Sequence, residues 1–188
     1  MNRTAFIEKD NIKLLYAEEP DRRLIYDMAF EEESIWRSMF TDKSEFDWAE
    51  FRDSDDCVFD SSPGTDKWLL MQIDGEIAGA TAYCLNNGKI KNFEIDMWLR
   101  SEHYAGRGIG TAVIKLLINE LVKRYGIKTF IIRPWVKNLR AIAAYEKCGF
   151  RICDDFVPSD YYGKHLEQYG QGDYGAENTV NMVLNVKD

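Results

Sequence analysis

Three alternating glycines, Gly106, Gly108 and Gly110, stand directly ahead of an apolar periodic run in HYAGRGIGTAVIKLLINELVKRYG, residues 103–126. Glycine adopts positive φ and lets another group approach the backbone closely. Counted from Gly110, the residues Val113, Ile114, Leu117, Ile118, Leu121, Val122 and Tyr125 recur at helical spacing. Gly126 suits the left-handed position that ends a helix. A helix start presents amides without intrahelical acceptors and a positive dipole end. With Arg107 among the glycines, the chemistry this spacing allows is anion binding, and phosphate comes first. The P-loop needs Gly-Lys-Ser/Thr, which the chain lacks. The dinucleotide fingerprint fails as well, because its third glycine would fall on Thr111 or Val113. The plain alternative is a glycine-rich turn before an ordinary core helix.

The elements around the loop follow from periodicity and turn chemistry. Ile12 to Ala17 reads as a first strand, and Pro20 suits the start of a helix reaching about Phe30. EEESIWRSMF and EFDWAEFRD read as helical turns with the aromatic residues Trp36, Phe40, Phe46, Trp48 and Phe51. Residues 53–66 read as a loop. KWLLMQI, EIAGATAYCL and NFEIDMWL are three antiparallel strands, turning at Asp74-Gly75 and Asn87-Gly88. After the glycine loop and its helix, KTFIIRP is a fifth strand and NLRAIAAYEKCG a short helix, with Asn138 as N-cap and Gly149 as its end. FRICDDFV is a sixth strand, residues 158–178 a long loop, and NTVNMVLNV a last strand. The expected class is mixed α/β, with a mostly antiparallel central sheet of six to seven strands and helices on both faces. The strand–loop–helix–strand unit predicts a parallel crossover.

At 188 residues one domain is the default. No apolar run approaches the ~20 residues of a membrane span, and MNRTAFIEKDNIKLLYAEE has no signal-peptide core. Cys57, Cys84, Cys148 and Cys153 show no zinc-like pairing, and His103 and His165 are the only histidines. Reduced thiols, a cytoplasmic setting and no metal are expected. The net charge of −8 is uneven. Residues 1–66 hold 18 Asp/Glu against 8 Lys/Arg; residues 67–188 hold 14 against 16. The acidic first third either keeps the chain soluble or steers a cationic partner. The basic stripe of a nucleic-acid binder is missing.

The glycine loop and the helix NLRAIAAYEKCGF together resemble the GNAT superfamily of acetyl-CoA-dependent N-acetyltransferases. Its pyrophosphate loop reads Gln/Arg-x-x-Gly-x-Gly/Ala. Here the frame is Ala105-Gly106-Arg107-Gly108-Ile109-Gly110, with Ala105 departing at the first position. Asn138, Ala141, Tyr145 and the Glu146-Lys147-x-Gly149-Phe150 ending carry the second signature. The resemblance covers about residues 90–153, an acetyl-CoA-binding core within a single acetyltransferase domain, and leaves residues 1–66 as an acidic acceptor-side part. Within the superfamily the sequence most resembles the aminoglycoside 6′-N-acetyltransferases, which have an Asp on the fourth strand; Asp96 stands fourteen residues before Gly110. That subgroup usually has Asp-Pro at the end of the fifth strand, where this chain has Arg133-Pro134. A cation there repels a cationic drug unless it turns away or pairs with an acid.

The resemblance implies acetyl-CoA as co-substrate, with no metal. Its pyrophosphate would rest on Arg107, Gly108, Ile109, Gly110 and Thr111. Splayed fourth and fifth strands would take the pantetheine arm, and Asn138 would contact it, cap its helix, or do both. A backbone amide near Trp98 or Leu99 would polarise the thioester carbonyl; Trp98 equally suits a core. The acceptor would be a small cationic amine, most plausibly an aminoglycoside whose resistance-conferring modification is at the 6′-amino group. A protein N-terminus, a lysine, a polyamine, or a non-catalytic acetyl-CoA sensor are the alternatives. An ammonium must lose a proton before it attacks, which assigns Asp96 as base, with Glu94 beside it on the same strand face as a second acceptor-binding carboxylate. Tyr145 sits where the family places the acid for the departing thiolate. No nucleic-acid or membrane partner is expected, and the chain is expected as a monomer or homodimer.

Overall fold

Turn chemistry and strand-length apolar runs fall in this chain where the hairpin signals lie. The computed structural model describes residues 3–54 and 57–187. Asp55 and Asp56, within the loop expected over 53–66, lie outside the described residues. The chain divides into two compact units, Met1–Cys84 with Met97–Val113, and Leu85–Asp96 with Ile114–Asp188.

The first unit holds β1 (Ala5–Lys9), β2 (Ile12–Tyr16), α1 (Arg22–Met28), α2 (Glu33–Trp36), α3 (Trp48–Asp53), β3 (Lys67–Ile73) and most of β4 (Glu76–Asn87). Met97–Val113 add the end of β5 (Lys91–Leu99) and the first turn of α4 (Ile109–Tyr125). From β1 to β4 each strand runs antiparallel to the next. β3 is an almost unbroken apolar run and is buried at six of its seven positions. Leu15, Ile25, Met28, Phe51, Trp68 and Leu70 form one apolar cluster. Burying each such side chain contributes about 1.5–3 kcal/mol, which is what seats α1 and α3 on these strands. β1 was not expected. Its polar Glu8 and Lys9 and the glycine-free Asp10-Asn11 turn conceal it, and Asp10 itself takes the left-handed conformation with φ 53°. A second difference concerns the cysteines: Cys57 and Cys84 form a disulfide. The reduced state expected for all four therefore holds only for Cys148 and Cys153.

The second unit takes the end of β4, the first part of β5 and most of α4. It then adds β6 (Thr129–Ile132), α5 (Leu139–Cys148), β7 (Arg151–Ile152), α6 (Pro158–Tyr162), α7 (Leu166–Tyr169) and β8 (Met182–Asn185). β5 and β6 are parallel through Phe93↔Phe130 and Glu94↔Ile131, the crossover expected of the strand–loop–helix–strand unit. The ladder ends there, and Ile95 and Asp96 run on past it. β8 lies antiparallel to both β6 and β7. The strand order β1-β2-β3-β4-β5-β6-β8-β7 gives eight strands, where six to seven were expected. The extra strand is β1.

Two readings of the last third are corrected. Only Arg151–Ile152 of FRICDDFV is strand. The long loop over 158–178 contains α6 and α7, started by Pro158 at the first helical position. Tyr161 and Tyr162 of α6 are buried against Ile131. The turn between β4 and β5 clasps α6 from the other side: Gly88 N donates to Tyr161 O at 3.1 Å and Ile90 N to Asp160 O at 2.8 Å. A Cβ at Gly88 would lie 2.4 Å from Asp160 O and 2.6 Å from the Tyr161 carbonyl carbon, both backbone atoms that cannot swing aside. Gly88→Ala is therefore expected to cost about 1–3 kcal/mol. A urea titration would show it as a lower midpoint at unchanged slope. A midpoint equal to that of the parent protein would mean that the clasp is slack.

Candidate active site

In the first unit the glycine loop is shaped by its backbone. Gly106 and Gly108 have φ of 70° and 78°, a region that side-chain-bearing residues adopt at a cost. Neither has an atom within 4 Å of where a Cβ would stand, so conformation and not crowding is what requires glycine. Ala112 N donates to Gly108 O at 2.9 Å. That makes Gly108 the start of α4 and directs the amides of Ile109, Gly110 and Thr111 out of the helix end. A Cβ at Gly110 would come 3.0 Å from Met97 Cε, so the loop packs closely on the end of β5. Arg107 is exposed, and its Nη1 donates to His103 O at 3.3 Å. A cleft of about 430 Å³ opens beside the loop, lined by Arg107, Gly108, Ile109, His103, Tyr104 and Glu76 among others. Outward amides, a helix dipole and an exposed guanidinium suit a bound phosphate or diphosphate.

Trp98 and Leu99 lie on β5 just ahead of that loop. The Trp98 ring is a packing element: Nε1 donates to Ile25 O at 3.3 Å, and the ring stands 5.0 Å from Trp68 and 5.9 Å from Phe46. Any role in binding falls to the backbone there. The aromatics of the expected helical turns also pack on one another, with Phe46 at 5.1 Å from Tyr26 and 5.5 Å from Phe40.

The second unit brings Glu94, Asp96, Arg133 and Tyr145 together. Period two on β5 puts Glu94 and Asp96 on one face. Arg133, at the end of β6, is only 8% exposed. Its Nε donates to Glu94 Oε1 at 2.7 Å, its Nη1 to Tyr169 O at 2.6 Å, and its guanidinium lies 4.6 Å from the Tyr162 ring centre. The cation that sets this chain apart from the aminoglycoside pattern is thus paired with an acid. Asp96 keeps part of its surface open to solvent, although protein crowds it on its other sides. Burial first, then the charges of Asp173 and Glu94, raise its pKa to about 8, and Arg133 pulls the other way. Tyr145 on α5 is 6% exposed. Burial, then the Asp96 charge, push its phenol well above the usual value, so it stays protonated. Asn138 caps α5, its Oδ1 accepting from Ala141 N at 3.1 Å. A carboxyl poised to take a proton and a phenol that keeps one therefore sense each other within one unit.

Asp173 was missed by the sequence reading, and Tyr162, one of several tyrosines in the same stretch, was not named as a site residue. Both belong to the stretch read as a loop, and no motif marks them. Tyr162 is fully buried beside Glu94.

The Acetyltransferase (GNAT) family profile matches residues 25–150, more than half of the chain. A probable spermine N(1)-acetyltransferase of Bacillus subtilis subsp. natto (strain BEST195) is 28% identical over 87 residues, which covers 42% of this chain and 55% of that protein. The chain thus spans about half the length of the curated relatives it matches. Among solved structures, AAC(6')-Ib in complex with paromomycin and acetyl-CoA has a TM-score of 0.66 at 19% identity, with 94% of each chain covered. RimL, a ribosomal L7/L12 alpha-N-protein acetyltransferase in complex with coenzyme A, has a TM-score of 0.68 at 18% identity, with 97% of this chain and 98% of that chain covered. At these identities the likeness is one of fold.

Proposed function

The chain belongs to the GNAT family of acetyltransferases, and on that premise we propose that it carries an acetyl group from acetyl-CoA to a primary amine of a polycationic small molecule, an aminoglycoside at its 6′-amino group in the first place. The observation that carries this reading is that the Asp96 charge reaches the buried Tyr145 phenol. Acetyl-CoA supplies the activated thioester. The amides of residues 109–111 and Arg107 hold its pyrophosphate, and the glycines of the loop keep side chains out of the way. Asp96 attracts the acceptor's ammonium and takes its proton. Tyr145 donates a proton or a hydrogen bond to the departing thiolate. A β5 backbone amide near Trp98 or Leu99 polarises the carbonyl oxygen. Glu94, already bound to Arg133, adds negative potential without being free to act as base. Asn138 serves the cap. A polyamine is the second reading for the acceptor, favoured by the spermine acetyltransferase among the relatives.

Release of CoA thiol from acetyl-CoA, measured against kanamycin, tobramycin, spermidine and a lysine peptide, tests the assignment. Saturable turnover with the aminoglycosides alone supports the first reading, and with spermidine alone the second. Turnover with the peptide alone discards both.

The pH profile follows from the raised pKa of Asp96. A general base works deprotonated, so kcat/KM is expected to climb about tenfold per pH unit and to level off above about 8. An ordinary aspartate would level off near pH 4. A profile already flat at pH 5 would mean that the raised pKa of Asp96 does not govern the proton transfer.

A further inference from the structure

The turn that leads from β5 into the glycine loop is held at both ends. Glu102, His103 and Tyr104 form a single turn of 3-10 helix. Glu102 N donates to Glu32 Oε2 at 2.8 Å, and just before it Arg100 Nε donates to Glu31 Oε2 at 2.6 Å. At the other end the Tyr104 hydroxyl donates to Glu76 Oε2 at 3.1 Å. His103 lies between these anchors. Its ring packs edge-on against the Tyr104 ring at 5.0 Å, and His103 and Arg107 both line the cleft beside the loop. His103 O accepts from Arg107 Nη1 at 3.3 Å, and His103 Nε2 lies 3.3 Å from the same nitrogen. A guanidinium nitrogen only donates, so Nε2 is the acceptor and the ring proton sits on Nδ1. Nη1 has two hydrogens, one for each acceptor. The N–H groups of Nε and Nη2 take no part in this grip.

Resting on the reading above, in which this loop holds the pyrophosphate of acetyl-CoA, we propose that His103 is the positioning residue of that site: it grips Arg107 by one nitrogen and leaves the rest of the guanidinium to the diphosphate. The make-up of the loop gives the grip a reason. Ala105 stands where the family's loop has Gln or Arg, and a methyl group neither donates a hydrogen bond nor carries charge. Arg107 is the only Lys or Arg between Ser101 and Thr111. It is exposed and flanked by two glycines. An exposed arginine spreads over many rotamers, and ordering it at the moment of binding costs affinity. A residue that orders it beforehand removes that cost. One exposed hydrogen bond holds a side chain weakly. Here two acceptors of one residue converge on one nitrogen, and that residue sits on a turn anchored by Glu32 and Glu76.

The test measures the binding of CoA, and of pantetheine, which lacks the diphosphate, by calorimetry. The parent protein is compared with His103→Ala, His103→Gln, Arg107→Ala and the double variant His103→Ala with Arg107→Ala. Alanine keeps the backbone carbonyl and removes the ring acceptor, whereas glutamine offers Oε1 at a reach similar to that of Nε2. In His103→Ala the dissociation constant for CoA is expected to rise about fivefold, with that for pantetheine unchanged. His103→Gln should bring the CoA value back to within about twofold of the parent. In the double variant the loss should match that of Arg107→Ala alone, because His103 acts through Arg107. Equal losses for CoA and pantetheine, a Gln variant as weak as the Ala variant, or fully additive losses in the double variant overturn the proposal. A parent protein that binds CoA no more tightly than pantetheine overturns it too, together with the pyrophosphate assignment. None of these measurements needs an acceptor. If the expected shifts appear and the parent protein acetylates no amine, His103 stands as the positioning residue and the acetyltransfer reading falls.

Discussion

Asp96→Asn is expected to lower kcat by roughly 10²–10⁴-fold, the usual loss on removing a general base. The amide keeps the shape of the carboxyl and cannot accept the ammonium proton at neutral pH. KM for the amine should rise as well, because a charge that attracts the acceptor is lost. Affinity for acetyl-CoA should not change, since the glycine loop and Arg107 are untouched. Steady-state thiol release gives the first two quantities and calorimetry with acetyl-CoA the third. If kcat is unchanged while KM rises, Asp96 only binds, and the proton goes elsewhere. The raised pKa of Asp96 has a further sign to respect. The folded state holds this proton more tightly than the unfolded chain does. Its stabilising contribution is therefore complete below the ordinary aspartate range and is lost as pH rises through about 8.

The largest effect on stability is expected from Arg133→Leu. The Arg133 side chain is 5% exposed and that of Glu94 20%. Leucine leaves Glu94 in a recess without its cation, removes the donor to Tyr169 O, and vacates the face of Tyr162. Breaking a buried pair from one side typically costs about 3–5 kcal/mol. For a chain of this size that lowers the thermal midpoint by on the order of 10 °C. Combining it with Glu94→Gln should recover part of the loss, because the stranded charge is then gone. Calorimetric scans of the two single variants and the double variant check this. A single variant that melts like the parent would mean that solvent already screens the pair.

What could be read in advance was local. The glycine loop, the face of α4 that buries Val113, Ile114, Leu117 and Leu121, the Asn138 cap and the Asp74-Gly75 hairpin each depend on residues a few positions apart. Asp96 and Tyr145 were picked out through a family resemblance and a spacing. The rest depends on contacts across long stretches of chain. α6 and α7 span five and four residues, too short for periodicity to register. Tyr161 and Tyr162 are buried by Ile131, thirty residues away. Nothing in Arg133-Pro134 tells that Glu94 lies 2.7 Å from the guanidinium. Asp173 was one aspartate in a stretch rich in Gly, Tyr and Asp. Cys57 and Cys84 carry no spacing that marks them as partners.

Neither compact unit is one uninterrupted piece of chain. The boundary falls inside β4, inside β5 and inside α4. No single recombination point can therefore exchange one unit for that of a relative and leave every strand and helix whole. A cassette swap would cut hydrogen-bond ladders at two places and a helix at a third. A change that leaves every strand and helix whole is thus more accessible through point substitutions than through the trading of segments. A library built on this chain would do better to vary single positions than to shuffle fragments.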